Sequence, residues 1–419
     1  MGATAPVDAA PPEPPSPQTL QSMGLRPTEG VHFTVWSDAQ PVVVQDVLKI
    51  LDRTAEMVSI EAARHEWPLD PEPRRHVVLF FETEAGFEAA RHALVGETEV
   101  PTGFYSPAHQ CALYFDERNA RRAIAAAGEI AAARAQLEAL VREANLARKA
   151  GAIACADQLL GKARAREREV GVALAQLNTE ALERLNQVVT HEGAHQLLFE
   201  RGVQLPNVLY PKWVSEGLAI CFEASAISEP FGPRQRSALR LRDWNRLILE
   251  DRPEQLAALV SRTSQPRYGD ELSRFYTQSA ALVAWLLEHR RTEFAQYLDW
   301  FRVDGQGRRL SPEQQLEVFE RFFGPAASVE RSWQRDELSR VSGAAATRWG
   351  SDLAGSEFTD PRQAIRAAAT EAARTGTATE PSDPSANPPA EPAEPAPSQP
   401  PNPATAPPAA PEQLPSPPA

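Results

Sequence analysis

The sequence predicts an α+β fold: a small N-terminal α/β unit, then a mainly helical lobe, with a long helical hairpin inserted between them. Three observations carry this. Strand-like and helix-like segments alternate over residues 30–117. Residues 118–180 are rich in alanine and arginine and contain no proline. From about residue 180 to 350, apolar residues recur almost throughout at helical spacing.

Within the first part, taken as 20–117, "VHFTVWS" reads as a strand. "PVVVQDVLKILDRTAEMVSIEAARH" reads as a helix, because Val44, Val47, Leu48, Leu51, Ala55 and Val58 share one face. "RRHVVLFFE" is a strand by its β-branched and aromatic run, and "TEAGFEAARHALV" a short helix. "TGFYSP" and "CALYFDE" are two further strands joined by the turn "PAHQ".

Residues 118–179 form the arm. Good helix formers dominate it, with thin apolar stripes (Ile124, Leu137, Val141, then Leu159, Val170, Leu174, Leu177) and Gly151 near the reversal. Over 118–169, eleven Lys/Arg face six Asp/Glu, so the arm is locally basic. Such charge reads first as a solvated helix face and second as a surface, over 118–178, for self-association or partner docking.

The lobe, 180–350, is expected to hold helices at 180–201, 212–226, about 233–250, 253–261, 275–290, 292–302 and 311–323. The ends differ from all of this. Of 38 prolines, six lie in residues 1–17 and sixteen in residues 381–418. Segments 1–19 and 351–419 cannot bury enough apolar surface to offset chain entropy and are expected to be disordered in most of their length.

A formal net charge of −13 argues against nucleic-acid binding. Cys111, Cys155 and Cys221 form no CxxC pair and read as small buried hydrophobes. No apolar run reaches the ~18–20 residues of a membrane span. The first residues show neither a basic start nor an apolar stretch, so no signal peptide is read. A cytoplasmic location follows unless the natural chain starts upstream, in which case the cell envelope or the exterior is open.

The chemistry concentrates in "VVTHEGAHQLLFERG", residues 188–202. Leu185, Val188, His195 and Leu198 place HExxH in the middle of an amphipathic helix. His191 and His195, four apart, lie on one face and can address one metal ion. Glu192 is turned about 100° from His191, beside the metal rather than on it. This is the arrangement of zinc peptidases in which the glutamate is the general base. A catalytic zinc site commonly has three protein ligands. Glu216, in "PKWVSEGLAICFE", follows His195 after a gap of 20 residues, enough for a reversing loop and a second helix. It is the expected third ligand. Glu223 falls two turns further along that predicted helix, about 10 Å away by helix rise, and does not join Glu216.

HExxH followed by a W-x-x-E-G-[LA]-A helix resembles the gluzincins, the thermolysin-like and peptidase MA-like zinc metallopeptidases. It is most similar to poorly characterised bacterial members carried as a domain of unknown function. "TGFYSPAHQCALYF" resembles the strand that borders the cleft in that group and can hold an extended peptide. The resemblance covers about 30–117 and 180–300, and neither the arm nor the ends. It implies a zincin lobe, Zn2+ held by His191, His195 and Glu216, Glu192 as catalytic base, and a peptide or protein substrate. "RFYTQSAALVAWLLEH" matches a further helix of the group, which implies that Tyr276 donates its hydroxyl to the oxyanion of the tetrahedral intermediate. One position departs. Many gluzincins carry an acidic residue four after the ligand glutamate to orient a zinc histidine. Here that residue is Ile220, so another carboxylate or a carbonyl must act, or zinc binds more weakly. Trp213, Phe222 and Trp285 read as core.

The expected activity is therefore metal-assisted peptide hydrolysis. The alternative is a peptidase-like, non-catalytic domain that binds peptides or a cell-envelope partner.

Overall fold

The computed structural model describes residues 13–349, apart from short stretches at 72–73, 97–101, 229, 236–237, 251–252, 268 and 306–307. The fold is α+β, with a five-stranded mixed sheet and a mainly helical body.

The N-terminal part holds α1 (Pro17–Ser22), β1 (Arg26–Glu29), β2 (Phe33–Ser37), α2 (Pro41–His65), β3 (His76–Phe81), α3 (Glu84–Val95), β4 (Gly103–Ser106) and β5 (Cys111–Phe115). The sheet order is β1-β2-β3-β5-β4. β2, β3 and β5 run parallel, while β1 and β4 lie antiparallel at the two edges. The central strands are apolar on both faces because both faces are covered. Phe33, Val35, Val78, Phe80, Ala112 and Tyr114 point into the main core with α2 and the helical lobe. Trp36, Leu79, Phe81, Cys111, Leu113 and Phe115 point to the other side, against Leu20 of α1 and Phe87 of α3.

Two elements here escape the sequence reading. β1 is a mostly exposed edge strand, "RPTE", with no apolar alternation. α1 is short, capped by the Ser16 side chain and led by Pro17. Residues 17–19 therefore belong to a helix, which corrects the expectation of disorder there. The same expectation for 1–12 and 351–419 lies outside the described residues.

The arm is α4 (Arg121–Lys149) and the first part of α5 (Ile153–Glu200). The chain reverses at Gly151, whose φ of +79° suits glycine. Alanines make the hairpin seam: Ala144, Ala156 and Ala163 are buried, whereas Ile124 and Val141 are exposed. Cys155 is exposed too, contrary to the reading of all three cysteines as buried. α5 is a single helix of 48 residues that crosses 179/180 unbroken, so arm and lobe have no structural boundary there.

The lobe continues with α6 (Lys212–Cys221), α7 (Ala238–Leu249), α8 (Leu256–Ser261), α9 (Gly269–His289), α10 (Arg291–Val303), α11 (Pro312–Phe323) and α12 (Ala326–Trp349). Trp213, Phe222 and Trp285 are core residues, as expected. α6 stops at Cys221, five residues before the predicted end, and this has consequences for the site. Among the described residues, no helix is long and apolar enough to cross a membrane.

Candidate metal centre

The inner part of α5 is fixed from two sides. Gly193 lies against Leu51 of α2; a Cβ there would come within 3.1 Å of Leu51 Cδ2. On the sheet side, Gly103 of β4 sits so close that an added Cβ would stand 2.7 Å from Val188 Cγ1. Both are small residues where elements approach closely. His191 and His195 occupy the remaining face, with side chains 12% exposed.

α6 brings Glu216 to them. Its close packing on α9 depends on Gly217, where a Cβ would meet Ser279 O at 2.8 Å and Val283 Cγ2 at 2.6 Å. Any larger residue would push α6 away, which gives the glycine of "WVSEGLA" its physical reason. One carboxylate oxygen of Glu216, Oε2, then stands 3.5 Å from His191 Nε2 and 3.6 Å from His195 Nε2. Donor atoms of the three side chains all lie within 4.8 Å of one another. An N–H···O hydrogen bond is about 2.7–3.2 Å long. Two donors each about 2.0–2.1 Å from a tetrahedral zinc stand roughly 3.3–3.5 Å apart. The two Glu216 separations match the second spacing better than the first. The donor set, two imidazoles and one carboxylate, is also one that zinc takes in catalytic sites. These residues fit a metal ion.

The loop after α6 supplies what Ile220 lacks. Because the helix ends at Cys221, Glu223 is not carried two turns along the same face. Its Oε1 lies 3.0 Å from His191 Nδ1. That contact fixes the ring orientation and turns Nε2 toward Glu216. Arg240 of α7 holds Glu223 in turn, with Nε 2.8 Å from Oε2 and an Nη 3.0 Å from Oε1. The loop itself is pinned to α5 at Thr190 and Asn186, within the five residues before His191. Thr190 Oγ1 accepts from the Ala224 N–H, and Asn186 donates to the Ser225 carbonyl. Glu223 is thus the orienting carboxylate, displaced by three positions from where the resemblance puts it. The visible signal is "CFEAS" itself, a second glutamate within reach of the first, with polar Asn186, Gln187 and Thr190 facing it.

The site is charged and closed in. Burial alone would neutralise Glu216 and Glu223. The two histidines hold the Glu216 carboxyl well below its usual range, and Arg240 with His191 holds Glu223 at about 2. Burial disfavours the His191 imidazolium, but bonds to Glu216 and Glu223 outweigh it and raise its pKa to about 10.

Burial raises the pKa of Glu192, against the lowering effect of His191, His195 and the nearby Tyr105 backbone of β4. Tyr276 of α9 lies beside the centre, its ring centroid 6.3 Å from that of His191 and 6.0 Å from the Arg240 guanidinium carbon. Burial and the Glu216, Glu192 and Glu223 carboxylates push its hydroxyl pKa up, so it keeps its proton and can donate it in a hydrogen bond. All five residues singled out by the sequence, His191, Glu192, His195, Glu216 and Tyr276, are gathered in one place.

A protein family of unknown function, DUF1570, matches residues 186–302. No curated protein and no solved structure matches the chain. The matched segment runs from the inner part of α5 to the end of α10. It contains the three donors, Glu192, Glu223, Arg240 and Tyr276, and neither the sheet nor the arm. This is consistent with a poorly characterised domain.

Proposed function

We propose that the protein is a zinc-dependent metallopeptidase of gluzincin type, hydrolysing peptide bonds in a peptide or protein substrate. The observation that carries the reading is Glu216 Oε2 at near-equal, metal-like distances from the two histidine Nε2 atoms.

His191, His195 and Glu216 would hold the ion, leaving room for a substrate oxygen or a water. When bound, zinc polarises the scissile carbonyl and makes water acidic enough to yield a nucleophile near neutral pH. The chain's own residues do the rest. Glu192 takes the proton of the attacking water and passes it to the leaving amine. Its raised pKa supports both steps, since a base that returns its proton works best near the operating pH. The Tyr105 backbone of β4 lies beside its carboxylate. Tyr276, held protonated, donates a hydrogen bond to the developing oxyanion. β4 is an edge strand and, among the described residues, pairs with β5 alone in the sheet. Its outer edge suits an extended peptide laid antiparallel or parallel beside it, next to Glu192.

Glu192→Gln tests this reading. Zinc content should stay near one per chain while hydrolysis of a broad fluorogenic-peptide set falls by about 10²–10⁴. A variant with full activity would remove Glu192 from its role. A wild-type chain that holds zinc yet cleaves no peptide would point instead to the non-catalytic peptide-binding domain.

A further inference from the structure

Away from the metal centre, a cavity of about 690 Å³ opens between the end of α2, the segment before α7, α9, the start of α10 and α12. That size lies in the range of small-molecule sites, about 300–1,000 Å³. Among the described residues its lining holds four arginines, Arg64, Arg234, Arg291 and Arg340, and one carboxylate, Glu288. Three of these arginines are paired with acids outside the lining, so the wall offers guanidinium donors rather than net positive charge. Glu61, paired with Arg64 and 3.3 Å from His65 Nε2, is 3% exposed, and so is Glu337, which pairs with Arg340. Glu66, 3.8 Å from Arg291, is 82% exposed. Arg291 is positioned by its bond to the Arg64 carbonyl at 3.1 Å, and Arg340 by Asn245 at 3.3 Å.

His65 lines the same cavity and is stacked on Trp67. Leu241, Ala284 and Leu287 complete the lining with apolar surface.

We propose that this cavity binds a small organic anion: a dianionic acid group, phosphate ester or dicarboxylate, on an apolar body. Guanidinium forks match the paired oxygens of either acid, and Leu241 and Leu287 cover the apolar body. The site is separate from the peptidase reading and does not rest on it.

Two probes with the same ring distinguish the acids: phenylphosphonate and phthalate, titrated calorimetrically into the full-length protein. At least one should bind saturably with one site per chain, and the tighter of the two names the acid group. The double variant Arg234→Ala/Arg291→Ala should weaken that binding at least about tenfold, since it removes two charge-assisted partners. It should unfold at the wild-type temperature and keep its metal content. The arm variant Arg142→Ala/Arg166→Ala should bind as wild type. Absence of saturable binding of both probes at millimolar concentration would overturn the proposal. So would binding that survives in the cavity variant, or equal loss in the arm variant.

Discussion

Residues 153–180 and 181–200 belong to one helix, yet they are built on different principles. In the outer part only Ala156, Ala163 and Val170 are buried, and the seam with α4 is made by small side chains. In the inner part Ala181, Leu185, Val189, Ala194, Leu197 and Leu198 are all buried, and Thr190, Gln196 and Asn186 are buried with hydrogen-bond partners. Helix propensity and one neighbour sustain the first stretch. The sheet, α2, α6 and the loop at Glu223 fix the second. A metal site needs donors held to within a fraction of an ångström, and only the over-determined half offers that.

Truncation separates the halves most sharply. Leu198→Ala, at a fully buried position, should cost about 2–5 kcal/mol in urea unfolding. Val172→Ala, 57% exposed in the outer part, should change stability by no more than about 0.5 kcal/mol. Equal costs would mean that the arm packs as tightly as the lobe.

Next in size is the carboxylate behind the candidate metal centre. Glu223→Gln keeps the shape but removes the charge that orients His191. Zinc affinity, read by competition with a chromophoric chelator, should fall about 10–100-fold. An unchanged affinity would leave Glu223 a spectator and reopen the question posed by Ile220.

The histidine itself gives a pH signature. In metal-free protein His191 keeps a proton because Glu216 and Glu223 flank it, with a pKa of about 10 against an ordinary 6.5. A raised folded value means that this stabilisation is complete below about 6.5 and is lost as pH rises through 10. Thermal stability of metal-free protein should decline over that window. Zinc at this site would displace the proton, so its binding should release protons at neutral pH and tighten as pH rises. Calorimetry in two buffers of different ionisation enthalpy reads the release. Proton uptake, or none, would contradict the charged, metal-ready His191.

The smallest contrast uses one residue type. At Gly171, in the outer part, a Cβ would meet nothing within 4 Å, so Gly171→Ala should stabilise by about 0.5–1 kcal/mol. At Gly193 the same change meets Leu51 Cδ2 at 3.1 Å, and the helix gain should be cancelled or reversed. Gains at both positions would show that the α2–α5 contact yields easily.

Much of this organisation is legible in the sequence because periodicity and composition report local choices. The arm is written in alanine, arginine and the missing proline, and HExxH with "WVSEGLA" writes the three donors. What escapes is set by tertiary contact. β1 has no pattern, since an exposed edge strand buries nothing that a period could betray. α12 lacks a clear apolar stripe and is not marked as a helix, although Trp333 is fully buried. Glu223 is misplaced because the end of α6 is decided by the bonds from Ala224 and Ser225 to α5, not by helix propensity. A one-turn error in a helix end was enough to hide the orienting carboxylate.

The central claim is that the inner part of α5, with α6, is a metal centre. Elemental analysis of zinc per chain tests it most directly, on the full-length protein and on His195→Ala after equal exposure to zinc and removal of excess. We expect close to one zinc in the wild type and almost none in the variant. A zinc-free wild type, or a variant that retains as much, would contradict the account.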